Sequence, residues 1–151
     1  RGKNKFFFFK KFNWKDGMST LMFSEFAELI QGELHSCDIS KENIENAVVF
    51  TKKFKEKVSF YVKDSVNFLK NFPKSIDLLY LDSFDGHNVE LASKHQLNEI
   101  EASIDKLSDS SLVLLDDKGA KTLYSSKFLL NNDLKLLEES NNQLLFSRSL
   151  T

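Results

Sequence analysis

The chain has 151 residues, 41% hydrophobic and 28% charged, the make-up of an ordinary globular domain with enough length for a core. Its 21 basic and 22 acidic residues are well mixed and leave a net charge of −1, which argues against nucleic acid as a partner. No apolar run approaches the ~20 residues that span a bilayer, so no membrane partner is expected.

The single cysteine, Cys37, excludes an internal disulfide and fits a reducing, cytoplasmic compartment; inside an apolar run it reads as a structural thiol. Arg1 and Arg148 are the only arginines among many lysines, and phenylalanine and asparagine are abundant, which reads as coding bias rather than function. The early apolar cluster is too short and too lysine-rich for a signal peptide. A start at Arg1 rather than Met is what an N-terminally truncated chain would show.

The aromatic run Phe6–Phe12 is expected to form a first strand, its phenylalanines packing into a core rather than meeting a membrane. A turn follows at Asn13-Trp14-Lys15-Asp16-Gly17. Ser19 or Thr20 is placed to cap a helix carrying Leu21, Phe23, Phe26, Leu29 and Ile30 at helical spacing, and Gly32 to end it. Residues 33–38 read as a second strand. Ser40, with Glu42 and Asn43, opens a second helix that runs to about Phe54.

Val58–Val62 is β-branched and aromatic, hence a third strand. Asp64 or Ser65 caps a short helix with Val66, Phe68 and Leu69, which Pro73 stops. Ile76–Asp82 is a fourth strand. A loop with Asp85, Gly86 and His87 leads to a long helix, Val89–Leu107, with Leu91, Leu97, Ile100 and Ile104 on one face. Ser108–Ser111 turn into a fifth strand, Leu112–Asp116. After a partly helical stretch, residues 118–130, two strands at 134–137 and 143–147 flank the turn Ser140-Asn141-Asn142 and should pair antiparallel.

Several apolar runs thus end in a carboxylate: Asp38, Asp82, and Asp116 with Asp117. Continuous apolar runs suit buried parallel strands, and open α/β sheets bind ligands beyond the carboxyl ends of their strands. The expectation is one three-layer α/β domain over residues 1–151, with acidic groups along one rim of its sheet.

In order and spacing these pieces resemble a class I S-adenosylmethionine-dependent methyltransferase over about Phe6 to Ser149, nearest the small-molecule O-methyltransferase-like branch. Gly17-Met18-Ser19-Thr20-Leu21 is similar to the end of the family's first glycine-rich motif, and Cys37-Asp38-Ile39-Ser40 resembles its acidic residue after the second strand. Val62-Lys63-Asp64-Ser65 resembles the "G-D-S" element. Leu79-Tyr80-Leu81-Asp82 and Leu114-Leu115-Asp116-Asp117 resemble the fourth- and fifth-strand motifs. One departure is plain: aligned on Gly17, Lys11 stands where the family has an acidic residue and Asn13 where it has its first glycine.

The resemblance implies a Rossmann-like sandwich, a mostly parallel seven-stranded sheet closed by an antiparallel hairpin. It implies that S-adenosylmethionine is held by Asn13, Gly17, Ser19 and Thr20 at its methionine end, Asp38 and Ile39 at the ribose, Asp64 and Ser65 at the adenine, and Asp82. Glycine lets backbone approach a ligand and a helix N-terminus offers free N–H groups, while a strand-end carboxylate can accept both ribose hydroxyls. The bland alternative for Asp38, Asp64 and Ser65 is helix capping.

On the acceptor side, Asp82 and His87 are the candidate catalytic residues, since an imidazole titrating near neutrality suits deprotonation of an acceptor. His95 belongs to the following helix and His35 to the second strand. The family's metal-dependent branch would place a divalent cation on Asp82, Asp116 and Asp117, hard oxygen ligands that suit Mg²⁺; solvated carboxylates are the alternative. A small-molecule acceptor is the expected partner, and a homodimer is compatible. Two rival functions stand beside methyl transfer: a non-catalytic interaction module on the same fold, and a nicotinamide-dependent oxidoreductase, which lacks its G-x-G-x-x-G here.

Overall fold

The computed structural model describes residues 18–148. The expected first strand, and with it Lys11, Asn13 and Gly17, lies outside the described residues. Contacts divide the chain into two compact units, Arg1–Asp64 and Ser65–Thr151.

In the first unit, helix α1 (Met18–Leu29) leads to strand β1 (Leu34–Asp38), helix α2 (Lys41–Phe50), a 3₁₀ turn (Lys52–Phe54) and strand β2 (Val58–Val62). β1 and β2 pair in parallel from Leu34 with Val58 to Asp38 with Val62, so both strands end at the same edge. Ser40 caps α2 as expected: its hydroxyl accepts the Asn43 N–H at 3.3 Å. The chain leaves the α-helix at Thr51 and reaches Phe54 as a 3₁₀ turn.

Two local expectations are corrected here. Ser19 and Thr20 lie within α1 rather than ahead of it as caps. At its far end, Gln31 takes the left-handed conformation (φ 56°), its N–H reaching Glu28 O and the Gly32 N–H reaching Ala27 O. These two bonds make a Schellman ending with Gly32 one place later than a C′ glycine. The inward face of α1 is also small: Ser24 and Ala27 are buried, whereas Phe26 is 45% and Leu29 80% exposed. Both stripes satisfy helical spacing, and periodicity does not say which one faces the strands.

The second unit begins with helix α3 (Ser65–Lys70), then strand β3 (Ile76–Leu81), helix α4 (Val89–Ser103), a 3₁₀ turn (Ile104–Lys106), strand β4 (Leu107–Leu115), helix α5 (Ser125–Asn131), and strands β5 (Lys135–Glu139) and β6 (Leu144–Ser147). The sheet order is β3-β4-β6-β5. β3 and β4 are parallel, and β6 is inserted antiparallel between β4 and β5. Ser140 closes the hairpin by accepting the N–H groups of Asn142 and Gln143 on its hydroxyl.

The expected single, mostly parallel sheet is therefore corrected among the described residues, while the seventh expected strand, Phe6–Phe12, lies outside them. The described residues hold six strands in a two-stranded parallel sheet and a four-stranded mixed one. The α/β alternation and the closing hairpin are as expected.

Ser108–Ser111, expected as a turn, belong to β4 but interrupt its register, since Leu107 faces Ile76 while Leu112 faces Leu78. The buried face of α4 is Ala92, Ser93, Gln96, Glu99, Ile100 and Ser103, rotated from the expected leucine stripe; Leu91 is 52% exposed. The core of this unit gathers Leu79, Ile100, Val113, Leu115, Leu129 and Phe146. Among the described residues, no helix is long and apolar enough to cross a membrane.

Candidate functional site

Asp38 ends β1 and Asp64 lies two residues beyond the end of β2, at the same edge of that parallel pair. Asp38 is half-buried. Its Oδ1 accepts the Ser40 N–H at 2.7 Å and its Oδ2 the Asn43 side-chain amide at 3.0 Å. The carboxylate thus supports the start of α2, the bland reading. Each carboxylate oxygen can accept more than one donor, so both keep capacity for hydroxyl groups. Beside it, Ile39 is 76% exposed, an apolar surface available to a planar ring. Asp64 is exposed.

Thr20 directs its hydroxyl to Ser36 on β1 at 3.3 Å, tying α1 to that strand, and Ser19 is half-buried in the same turn. Cys37 contacts Lys63 O through its thiol at 3.4 Å, and His35 meets the Tyr61 hydroxyl at 3.0 Å and stacks on its ring. Both are packing residues of β1, as the sequence suggested for Cys37.

In the second unit, β3 and β4 deliver Asp82 and Asp116 side by side, the Asp116 N–H extending the ladder to Leu81 O. Between them lies the Tyr80 hydroxyl, which donates to Asp116 Oδ2 at 2.6 Å and sits 3.3 Å from Asp82 Oδ2. Lys121, whose side chain is only 3% exposed, reaches Asp82 at 3.0 Å and Asp117 at 2.9 Å. Burial, then the Asp116 hydrogen bond and the charges of Asp82 and Asp116, push the Tyr80 phenol far above its usual range, so it stays a neutral donor. For Lys121 burial works downward, but the hydrogen bonds to Asp117 and Asp82 and their charges outweigh it and hold the ammonium above its usual value.

These are the three carboxylates on which the resemblance would place a divalent cation. Each of those carboxylates already has an internal partner, and the ammonium supplies the positive charge. Among the described residues, no group of three or more His, Cys, Asp or Glu is arranged to hold a metal ion. Sequence reasoning missed Lys121 and Tyr80. The signal available for the lysine was its place four residues after Asp117, the spacing of a helical ion pair.

His87 and Asp85 are exposed in the loop between β3 and α4, next in the chain to Asp82. Ser65 is engaged with His95, its hydroxyl 3.1 Å from Nε2. The structure therefore assembles Asp38 with Asp64 in one unit, and Asp82, Asp116 and Asp117 with Tyr80 and Lys121 in the other.

A profile described as a methyltransferase domain matches residues 14–118. The chain belongs to the methyltransferase domain family. As a methyltransferase domain it takes the class I, S-adenosylmethionine-dependent type of fold, and the oxidoreductase alternative falls. No curated protein sequence matches the chain significantly.

Solved structures of the same fold include NSun6 from Pyrococcus horikoshii with SFG, 17% identical with a TM-score of 0.61; the match covers 83% of this chain and 43% of that one. SMU.1697c from Streptococcus mutans, in complex with SAH, is 9% identical with a TM-score of 0.54 and coverages of 76% and 75%. The N-methyltransferase NodS from Bradyrhizobium japonicum WM9 is 13% identical with a TM-score of 0.52 and coverages of 86% and 94%. At these identities the likeness is one of fold. The chain spans less than half the length of NSun6.

Proposed function

We propose that this domain binds S-adenosylmethionine and transfers its methyl group to an oxygen or nitrogen of a small-molecule acceptor. The observation that carries the reading is the convergence of Asp38 and Asp64 at one edge of a parallel strand pair, in a chain of the methyltransferase domain family. Relatives of the same fold solved with SAH and SFG support the choice of cofactor.

The residues fit the group. The remaining acceptor capacity of Asp38 suits the two ribose hydroxyls, and Ile39 offers an apolar wall for the adenine. Asp64 would accept from the exocyclic amine, with Ser65 beside it. Ser19 and Thr20, with Asn13 and Gly17 before them, would serve the methionine end. When bound, the cofactor's sulfonium supplies an electrophilic methyl group. The protein's part is to hold the acceptor atom in line and to exclude water. Asp82 would orient the acceptor, and His87 would take its proton.

Calorimetry with SAH tests this. The wild-type chain should bind, and Asp38→Ala should weaken binding at least about tenfold, the worth of roughly one good hydrogen bond to a charged group. Equal affinity in both proteins would remove Asp38 from the site. The rival reading is a non-catalytic interaction module of the same fold. Lys11 and Asn13 in place of an acidic residue and a glycine favour it, and no binding of SAH by the intact wild-type protein would favour it further.

A further inference from the structure

The loop from Asp82 to Asn88 is gripped by α4 in a way that packing alone does not call for. Ser83 donates its hydroxyl to Glu99 Oε1 at 2.5 Å. His95, one turn earlier on α4, places Nε2 3.5 Å from the same oxygen and 3.1 Å from the Ser65 hydroxyl. Its ring lies against Phe84, centroids 5.3 Å apart and planes 30° from parallel.

Phe84 itself holds a left-handed backbone, φ 65°, although its side chain is 47% exposed. A bulky residue adopts that conformation only where its surroundings impose it. Further on, Gly86 leaves no slack: a Cβ there would stand 3.2 Å from the Ala120 methyl.

Glu99 is 1% exposed, yet its Oε2 meets no hydrogen-bond donor among the described residues. A buried carboxylate with one oxygen unmatched is a poor filler, and an apolar side chain of similar size would pack with less penalty. Its evident use is the acceptor that it offers to Ser83, with the His95 ring beside the same oxygen.

We propose that His95 and Glu99 are positioning residues that hold the β3–α4 loop in its strained form, so that Asp82 and His87 near its two ends are fixed before a ligand arrives. The loop's use on the acceptor side rests on the methyltransferase reading. The clamp itself does not.

Backbone nitrogen-15 relaxation on the ligand-free full chain tests it. In the wild type, residues 83–88 should be as rigid as a strand, with order parameters of about 0.85. Ser83→Ala, and His95→Phe, which keeps a ring against Phe84, should each lower them toward about 0.6 while β4 amides keep theirs. Glu99→Gln preserves an acceptor oxygen and should hold the loop close to wild type. Glu99→Leu, of similar bulk without an acceptor, should release it. Undiminished loop rigidity in Glu99→Leu would overturn the proposal, as would an equal loss of order in β4, which would mark a general loosening. Failure of the wild type to bind SAH would strike the methyltransferase reading and leave the clamp to be judged by relaxation.

Discussion

Lys121 is a charged side chain almost wholly out of water, and its neighbours explain how. Two carboxylates, Asp82 and Asp117, reach its ammonium from the ends of β3 and β4, and both remain partly solvated. Lys121→Met keeps the stem and removes the charge. It should cost about 2 kcal/mol, the value of a hydrogen bond to a charged group discounted for the exposure of its partners, measured by urea unfolding. The pH dependence has a definite sign. Folding holds the Lys121 proton more tightly than the unfolded chain does, so its contribution is complete below the ordinary lysine value of 10.5 and fades as pH rises above it. Tyr80 acts in the same direction, because the unfolded chain starts to lose that proton near 10.0 and the folded chain does not. The urea midpoint should therefore fall as pH rises beyond about 10, and a Tyr80→Phe, Lys121→Met double variant should show a shallower fall. An unchanged slope would contradict the assignment. At this scale Asp38, Asp82 and Asp116 were legible, because a carboxylate ending an apolar run marks a strand end. Lys121 was not, because its burial depends on two strand ends meeting a loop that only the folded sheet brings there.

The elements show the same division between local and long-range causes. The start of α2 is written in three residues: Ser40 accepts from Asn43, and Asp38 steadies the Ser40 N–H just ahead of it. Ser40→Ala should cost about 1 kcal/mol and fray the first turn, seen as a lower urea midpoint with reduced helical signal. The same variant bears on Asp38. If SAH affinity holds while stability falls, capping and ligand contact at this strand end are separable. Elements with such local signals, α2, β2, β3 and the closing hairpin, fall where the sequence pattern puts them. The buried face of α4 does not, since Ser93 and Gln96 are buried through partners elsewhere in the chain. Gln96 accepts from Ser125, and Ser93 donates to Ala120 O. The irregular start of β4 is likewise set by its partner, because the register break at Ser108–Ser111 exists only against β3.

At the scale of the whole molecule, the α/β alternation and the closing antiparallel hairpin were legible, and the division into two sheets was not. Pairing between strands far apart in sequence leaves no local mark. The insertion of β6 has an energetic consequence for the edge that carries Asp82, Asp116 and Lys121. Phe146 is 1% exposed and sits opposite Val113 on β4 and Leu136 on β5, so one ring joins three strands. Leu144, two residues before it, pairs with Leu115, the residue that precedes Asp116. Removing the ring by Phe146→Ala should cost about 3–5 kcal/mol, because the surrounding strands cannot fully close the cavity. A domain of this size holds roughly 5–15 kcal/mol in total, so that loss is a large share of its stability. Exchange of the β4 and β6 amides should quicken by several orders of magnitude, the fold-change that this free energy implies if those strands open only with global unfolding. Phe146→Leu refills most of the space and should lose less than half as much, roughly in proportion to the volume left empty. If the alanine variant unfolds at the wild-type urea concentration, Phe146 is not what binds β6 between its neighbours.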